Sequence, residues 1–150
     1  MNQSPSIHAS AVLVGARAVL IQGPSGSGKS RLALALIQAA TRGALPFARL
    51  VADDRVHVEA AHGRLLVRPA EALAGLIEVR GLGIRRLPHE PIAVVGLLVE
   101  LGQKDAERLP PASQRQGDIA GITLPRLAVA VGQDPLALVL AYLQTPDGPG

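Results

Sequence analysis

The feature of this sequence that most constrains its fold is a glycine- and serine-rich stretch in its first third. The stretch fits the pattern Gly, four residues, Gly-Lys-Ser, which is typical of a phosphate-binding loop. The apolar run 18–21 precedes it and a run of helical composition, 31–37, follows it, so we expect a strand, a loop and a helix in that order. A Gly/Ser turn without a ligand is the alternative, and the match at every fixed position disfavours it. The residues are Gly23, Pro24, Ser25, Gly26, Ser27, Gly28, Lys29 and Ser30.

The residue types of this stretch indicate what it would bind. Glycines let backbone N–H groups turn inward around a polyphosphate, and the following helix points the positive end of its dipole at the same anion. Lys29 would reach the outer phosphates, and the Ser30 hydroxyl would ligate the magnesium ion that accompanies them. Arg31 follows directly and is included in the predicted nucleotide-binding set. The sequence therefore predicts binding of a nucleoside triphosphate or a similarly phosphate-rich molecule.

Composition limits the classes of protein to consider. A chain of 150 residues corresponds to one domain and is long enough to bury a core. Phe47 and Tyr142 are its only aromatic residues, which disfavours a single-stranded nucleic-acid binder that stacks bases on rings. The net charge of +3 is spread over single arginines, a surface that suits an acidic protein or a phosphorylated ligand as well as DNA. We predict no nucleic-acid partner.

The cellular compartment is predicted from features that the sequence lacks. It contains no cysteine, so disulfides and thiolate metal sites are excluded. No signal peptide is evident, and the longest apolar stretch, 92–101, is too short to span a bilayer. We therefore expect a cytoplasmic protein without a membrane partner.

The expected organisation is a single domain over residues 7–144 between two disordered tails, 1–6 and 145–150. Hydrophobic periodicity and turn residues predict the elements within it. They are strands over 7–14 and 18–21, a helix from Lys29 to about Thr41, a strand over 48–52, a β-hairpin over 55–68, a helical turn over 70–73, a loop with short extended pieces over 75–86, a strand over 92–101, a mobile polar segment over 102–118, a strand over 122–131 interrupted by Pro125, and a helix over 135–143 capped by Asp134.

Two adjacent carboxylates, Asp53 and Asp54, follow the strand that comes after the loop's helix. An ATP-using enzyme needs a carboxylate to hold magnesium or its waters, and transfer to a hydroxyl benefits from a second one that accepts the proton. Neighbouring side chains of an extended chain point to opposite faces, so the pair can share one task only if the chain turns there. Turn-forming aspartates that cap a hairpin are the alternative, and the upstream loop favours function.

A second unusual stretch, from Glu78 to Gly83, combines a carboxylate, an arginine and glycines with apolar residues. This mixture suits a metal contact and a close approach of the backbone to a ligand, although a solvated glycine turn is the commoner explanation. The four histidines and Arg108 show no pattern of their own and, from the residues alone, are interpreted as structural or solvated.

Together these features resemble the catalytic domain of HPr kinase/phosphorylase, the bacterial enzyme that phosphorylates a serine of the phosphocarrier protein HPr. The match runs from His8 to about Tyr142, and the amino-terminal domain of longer family members has no counterpart in it. The resemblance implies an α/β fold: a P-loop-containing mixed sheet with flanking helices, similar to the nucleotide-binding part of phosphoenolpyruvate carboxykinase. The matching blocks are Ile7-His8, the loop 23–30, Leu50-Val51-Ala52-Asp53-Asp54 and, close to a signature of the family, Ile77-Glu78-Val79-Arg80-Gly81-Leu82-Gly83-Ile84.

The resemblance also implies which residues bind nucleotide and metal. His8 would be an active-site residue beside the phosphates, and Lys29 would be the phosphate-binding lysine. Ser30 and Glu78 would hold magnesium, with Asp53 as the further candidate ligand introduced above.

For catalysis, the resemblance implies that Asp54 takes the proton from the attacking serine hydroxyl and returns it when inorganic phosphate attacks phosphoserine. Arg108 would correspond to the family's catalytic arginine. The implied cofactors are ATP and Mg²⁺, with pyrophosphate left open as an alternative donor. The implied partner is an HPr-type carrier of a phosphotransferase system, and a homo-oligomer is left open because family members are usually hexamers.

The chain departs from the family pattern at several positions. Pro24 and Arg31 stand where the family usually has Asp and Glu. The segment 128–134 lacks both arginines of a Pro-Val-Arg-Pro-Gly-Arg type loop that the family uses in the dephosphorylation direction. Because arginine is suited to bidentate phosphate contacts, we expect phosphorolysis to be weak or lost while the kinase direction survives.

A serine kinase acting on an HPr-type carrier is therefore the first interpretation, and two others are weighed against it. A nucleotide-binding regulatory module with little catalysis would act through a signalling partner. The missing arginines favour that module, whereas the presence of Lys29, Ser30, Asp54 and Glu78 argues against it. A small-molecule kinase is disfavoured because no separate lid or substrate domain is evident.

Overall fold

Strand-forming segments separated by glycine turns make up most of this chain, and the tertiary structure follows that pattern. A computed structural model describes residues 5–148, which contain eleven strands and two α-helices. The strands are β1 (Ser6–Ile7), β2 (Ser10–Val14), β3 (Arg17–Gln22), β4 (Ala48–Ala52), β5 (Val56–Ala61), β6 (Arg64–Pro69), β7 (Leu76–Val79), β8 (Gly83–Arg86), β9 (Ala93–Glu100), β10 (Gln116–Ile119) and β11 (Ile122–Ala128). The α-helices are α1 (Lys29–Thr41) and α2 (Pro135–Gln144), and single turns of 3-10 helix cover Glu71–Leu73 and Ala112–Gln114.

Nine of these strands form one mixed sheet with β9 at its centre. The order is β1-β5-β6-β9-β3-β2-β4, with β11 beside β9 and β10 beside β11. Strand β9 pairs in parallel with β3 on one edge, and on the other edge it pairs antiparallel with β6 and then in parallel with β11. Because β6 and β11 share one edge of β9, the sheet divides there and curls. Strands β7 and β8 form a separate hairpin.

The carboxyl ends of several strands meet at one edge of the sheet. Strands β3, β9 and β11 run in the same direction, and β4 shares that direction because it is antiparallel to β2, as β2 is to β3. In open α/β sheets ligands bind outside the carboxyl ends of the strands. The Gly23–Ser30 loop leaves β3 at this edge, and Asp53 follows β4 at the same edge.

Side chains of the sheet alternate between two buried clusters. In β3, Val19 and Ile21 share one cluster with Leu32 and Leu36 of α1. Leu20 belongs instead to the second cluster, which the curled strands β5 and β6 help to enclose. A strand buried on both faces needs apolar residues at consecutive positions, which accounts for the unbroken apolar run that precedes the loop.

Helix α1 is held on the sheet by one face. Its buried residues, Leu32, Ala33, Leu36 and Ala39, have the spacing of a single helical stripe. The helix ends as expected, since the N–H of Gly43, at a φ of 84°, donates to Ala40 O at 3.0 Å. The predicted bounds of α1 and the predicted hairpin over 55–68 are both confirmed.

Other local predictions need correction. The strand expected over 7–14 is divided at His8 and Ala9 into β1 and β2, which pair with different partners. The short extended pieces expected within the loop over 75–86 are present as β7 and β8, but they pair into a hairpin, which was not predicted. Pro125 lies inside β11 opposite Gln116 without interrupting the strand, which ends at Ala128 rather than at residue 131. Tertiary pairing, which local sequence does not encode, decides each of these cases.

The segments expected to be tails are partly described. Ser6 pairs with His57, and the N–H of Val58 donates to Pro5 O at 3.0 Å. At the other end the N–H of Thr145 donates to Ala141 O at the end of α2. Residues 1–4 and 149–150, which complete the two expected tails, lie outside the described residues. Within residues 5–148 no helix is long and apolar enough to cross a membrane.

Candidate functional site

The Gly23–Ser30 loop joins β3 to α1, and two of its glycines have a left-handed backbone. Gly26 and Gly28 have φ values of 80° and 100°, in the left-handed region where glycine is strongly favoured. Gly28 is the N-cap of α1, and within the described residues no side chain caps the first turn of that helix. The first N–H groups of a helix have no partner inside it, so they are available to an anion at this end.

Gly23 is fixed by close packing at the entrance of the loop. A Cβ atom added there would lie 2.5 Å from Ser27 Oγ and 2.9 Å from Leu101 Cβ, at the end of β9. The loop is therefore pressed against the carboxyl end of β9. Ser27 Oγ is buried at this contact and has no hydrogen-bond partner within residues 5–148.

Lys29 lies across the loop. Its Nζ donates hydrogen bonds to the carbonyl oxygens of Gly23 at 2.9 Å and Pro24 at 3.2 Å. These partners are neutral, and no carboxylate of residues 5–148 forms an ion pair with the ammonium group. A flexible side chain that bridges carbonyls at the mouth of the loop can exchange them for phosphate oxygens.

Asp53 is the residue that joins the separate parts of the site. Its side chain is 5% exposed, and its Oδ1 accepts hydrogen bonds from Ser10 Oγ at 2.7 Å and Ser30 Oγ at 2.6 Å. Its Oδ2 accepts a 3.1 Å bond from the backbone N–H of Glu78. One buried carboxylate thus connects the last residue of the loop, strand β2 and the β7–β8 hairpin.

Asp54 has a different environment from its neighbour. The chain turns there, since Asp54 has a φ of 68° and the N–H of Arg55 donates to Asp53 O at 2.8 Å. Asp54 is exposed, and its backbone N–H donates to Ser10 Oγ at 3.3 Å. The buried Asp53 is held by donors, whereas the Asp54 carboxylate makes no hydrogen bond or ion pair within residues 5–148. The turn therefore gives the two carboxylates distinct environments.

The stretch Ile77–Ile84 forms most of the β7–β8 hairpin. Ile77 is 1% exposed and anchors the hairpin in the core, whereas Glu78, the turn residues 80–82 and the first two residues of β8 are exposed. Ser30, Asp53 and Glu78 supply hydroxyl and carboxylate oxygens, the ligand type that magnesium prefers. The described residues contain no group of three or more His, Cys, Asp or Glu that could hold a metal alone. Such a group is not required, because magnesium usually takes most of its ligands from water and phosphate.

Within residues 5–148 neither His8 nor Arg108 forms a hydrogen bond or ion pair with the loop. His8 lies exposed at the bend between β1 and β2, and within the described range it makes no hydrogen bond or ion pair. Arg108 is likewise exposed and without a partner in that range, and it lines a cavity of about 520 Å³ beside α2 and β11. A separate cleft of about 340 Å³ lies between Pro24–Ser27 and Val129–Gln133. Gln133 lines both spaces, so they adjoin.

Sequence analysis missed two parts of this arrangement. Ser10 is fully buried and bonds to both the Asp53 carboxylate and the Asp54 backbone, yet a single serine in an apolar strand gave no signal. The other is a hydrogen-bond network centred on the pair Arg126 and Glu100, and these two residues are 26 positions apart in the sequence. An isolated arginine within a strand is common, so spacing alone could not identify it.

The fold and the site together define a mixed α/β protein that carries a glycine-rich loop and an acidic cluster at the carboxyl edge of its sheet. The family model of the HPr serine kinase C-terminal domain matches residues 1–140. The chain therefore belongs to the HPr serine kinase C-terminal domain family.

Individual relatives agree with this assignment. An HPr kinase/phosphorylase from Streptococcus gordonii is 37% identical over 138 residues, which cover 84% of this chain and 42% of that protein. One from Streptococcus thermophilus is 50% identical over 80 residues, which cover 53% of this chain and 24% of that protein. The chain thus spans less than half the length of these relatives.

A solved structure supports the fold over nearly the whole chain. The Hpr(Ser) kinase/phosphatase from Coxiella burnetii superimposes with a TM-score of 0.75 at 25% sequence identity. The superposition covers 94% of this chain and 95% of that one.

Proposed function

We propose that this chain is an ATP-dependent serine kinase that phosphorylates an HPr-type phosphocarrier protein of a phosphotransferase system. The observation that carries the proposal is the position of Asp53. Its carboxylate accepts hydrogen bonds from Ser30 of the loop and from the N–H of Glu78 in the hairpin. Two segments of the family pattern, far apart in sequence, thereby meet at one point. The relatives carry the name HPr kinase/phosphorylase, which supports the same reaction here.

Nucleotide binding would rest on the loop and Lys29. The uncapped N–H groups at the start of α1 would donate to phosphate oxygens, and the helix dipole favours negative charge at that end. The Lys29 ammonium would leave the carbonyls of Gly23 and Pro24 for the outer phosphates. We include Arg31, exposed in the first turn of α1, in this set.

Metal binding would use the oxygens gathered around Asp53. The Ser30 hydroxyl and the exposed Glu78 carboxylate are the candidate ligands. Because Asp53 already accepts bonds through both of its oxygens, it would chiefly orient Ser30 and any water bound to the ion. Magnesium, when bound, would supply the positive charge that offsets the triphosphate.

Asp54 would be the group that accepts the proton of the attacking serine. Its carboxylate is exposed next to the Ser10–Asp53 pair, where a protein substrate can approach it. His8 and Arg108 would contact the phosphates from the β1–β2 bend and from the polar segment after β9. Catalysis would then be mainly positional and electrostatic.

The direction of the reaction is a further part of the proposal. The segment 128–134 borders the cleft beside the loop and contains no arginine. Without a bidentate partner there for inorganic phosphate, phosphorolysis would be weak or lost. Rapid release of pyrophosphate from phospho-substrate and inorganic phosphate would contradict this part.

The test is transfer of labelled γ-phosphate from ATP and Mg²⁺ to HPr-type carriers. Asp54→Asn removes the base and keeps a residue type that tolerates the left-handed backbone found there. We expect at least a 100-fold loss of transfer, with ATP affinity retained. Asp118→Asn, the same change at an exposed aspartate on β10, is the matched control and should be active. Full activity of Asp54→Asn would show that the assigned base is wrong.

The alternative is a nucleotide-binding regulatory module with little catalysis. It is favoured by one observation: within the described residues Arg108 makes no hydrogen bond or ion pair, and the cavity that it lines contains no loop residue in its lining. ATP binding that depends on Lys29, without transfer to the acceptor serine of any carrier tested, would support this alternative over the kinase.

A further inference from the structure

Arg126, on β11, donates five hydrogen bonds through its guanidinium group. Its Nε donates to Glu100 Oε1 at 2.7 Å. Its Nη1 donates to Asp105 Oδ2 at 3.3 Å and Gln114 O at 3.0 Å, and its Nη2 donates to Asp105 Oδ1 and Gln103 Oε1, each at 3.4 Å. An arginine has five N–H donors, and each has an acceptor here. The side chain is 10% exposed.

Apart from Glu100, these acceptors lie at both ends of one segment. Residues 103–115, which we call the Arg108 segment, begin with Gln103 and Asp105 and end with Gln114 and Arg115. The backbone N–H of Arg126 also donates to Arg115 O at 2.8 Å. The two ends of the segment, which we call its anchors, are therefore both bound to Arg126. The Arg126 side chain therefore joins the two ends of a stretch that sequence composition predicted to be mobile, beside a backbone bond from Gln103 N–H to Val129 O at 2.9 Å.

The same guanidinium ties the segment to the edge of the sheet that bears the loop. Its tightest partner, Glu100, is the last residue of β9 and pairs with Gln22, the residue directly before the loop. Arg108 lies between the two anchors, exposed and without a hydrogen bond or ion pair inside the described range. The location of Arg108 relative to the loop therefore depends on how the segment is held at its base.

We propose that Arg126 is a positioning residue that fixes the Arg108 segment against the end of β9 and so presents Arg108 to the transferring phosphoryl group. This inference rests on the proposed function for the role of Arg108. It does not rest on it for the attachment of the segment, which can be measured without any reaction.

The guanidinium group of Arg126 keeps the positive charge that these ion pairs require. Burial alone would lower the pKa of Arg126, but hydrogen bonds and charge attraction from Glu100 and Asp105 raise it above its ordinary value. The guanidinium is therefore positive throughout the pH range in which the protein is assayed. Lysine at this position keeps the charge but has only one nitrogen, which cannot reach acceptors at both ends of the segment.

The first measurement is tryptic cleavage of the folded protein after Lys104, Arg108 and Arg115, which all lie in the segment. We expect Arg126→Lys to speed cleavage at these sites by about tenfold or more, because local opening becomes easier. Arg68→Ala, which breaks an exposed ion pair with Glu59 at 3.1 Å on the β5–β6 hairpin, is the control and should not change cleavage there. Unchanged cleavage in Arg126→Lys, with the protein folded, would overturn the proposal. Asp105→Asn serves as a second variant if Arg126→Lys does not fold.

The second measurement separates positioning from general stability. In the transfer assay we expect Arg126→Lys to lower kcat by about 10- to 100-fold while KM for ATP stays near its original value. If Arg126 acts through Arg108, the same substitution in an Arg108→Ala background should cause little further loss of kcat. Equal losses in both backgrounds would show that Arg126 acts by another route and would overturn the positioning role.

Failure of the proposed function gives a different result from failure of this inference. An unsubstituted chain that binds ATP but transfers nothing would contradict the kinase. In that case faster cleavage in Arg126→Lys would still support the attachment of the segment. Unchanged cleavage together with no transfer would reject the attachment and the kinase, each by its own measurement.

Discussion

The carboxylate of Asp53 accepts a 2.6 Å hydrogen bond from the hydroxyl of Ser30, although 23 positions separate the two residues. This bond sets the end of the glycine-rich loop against the strand end that carries the acidic pair. In the function proposed above, this is where a phosphate-bound cation would meet protein oxygens.

Asp53→Asn should weaken both the fold and the binding of Mg²⁺-ATP. The carboxylate accepts three hydrogen bonds, and an amide would turn a donor toward at least one of those donors. We expect the free energy of unfolding to fall by roughly 1–3 kcal/mol, the cost of leaving buried donors without acceptors. Urea unfolding and ATP titration with and without Mg²⁺ would measure the two effects.

Ser10→Ala is the control for that variant. It removes one of the bonds to Asp53 but leaves the bond from Ser30 in place. We expect a loss of about 1 kcal/mol in unfolding free energy and unchanged affinity for Mg²⁺-ATP. Equal affinity of Asp53→Asn and Ser10→Ala would mean that the Asp53–Ser30 contact has no part in metal binding.

Lys29→Met should lower ATP affinity while leaving the fold almost unchanged. Within residues 5–148 the ammonium bonds only to the carbonyls of Gly23 and Pro24, which are neutral, so its loss leaves no unpaired charge behind. We expect an increase of about 10- to 100-fold in Kd, the effect of one or two charge-assisted hydrogen bonds. Calorimetric titration would measure it. Lys104→Met, at an exposed lysine outside the loop, should bind ATP normally, and the same Kd in both variants would contradict the role of Lys29.

Gly23→Ala should destabilise the protein more than Gly26→Ala. A Cβ at Gly23 meets Ser27 Oγ and the backbone and side chain of Leu101, whereas one at Gly26 has nothing within 4 Å. We expect a loss of roughly 1–3 kcal/mol for Gly23→Ala from overpacking. For Gly26→Ala we expect about 1 kcal/mol from the left-handed backbone alone. Urea unfolding of both variants would measure the order, and the reverse order would be inconsistent with a loop pressed onto β9.

Gln133→Arg should increase phosphorolysis. Gln133 borders the cleft beside the loop, and its Oε1 accepts a 3.1 Å bond from the N–H of Ala130 in the segment that lacks arginine. A guanidinium at this position could hold inorganic phosphate in bidentate fashion. We expect about a tenfold faster release of pyrophosphate from phospho-substrate, the effect of one charge-assisted hydrogen bond. Gln133→Lys, a point charge without the fork, should give a smaller gain; equal rates for the two variants and the unsubstituted chain would refute the prediction.

The sequence predicted the local units around the site. The glycine pattern and its flanking apolar runs gave β3, the loop and both ends of α1, because these are determined by neighbouring residues and by backbone preferences. The resemblance to the HPr kinase family, found from short blocks, agrees with the family match over residues 1–140. The two adjacent aspartates were identified as candidates, but their separate environments were not.

Only the tertiary structure decided which of these units meet. The left-handed turn at Asp54 leaves Asp53 buried among donors from β2, α1 and the β7–β8 hairpin, and no local pattern encodes that convergence. The same holds for Arg126, whose acceptors lie up to 26 positions away along the chain. Hydrogen-bond partners are chosen by the packing of strands from distant parts of the sequence. The sequence alone therefore determined the loop and the family, and the curled sheet determined how the loop, the acidic pair and the Arg108 segment are placed.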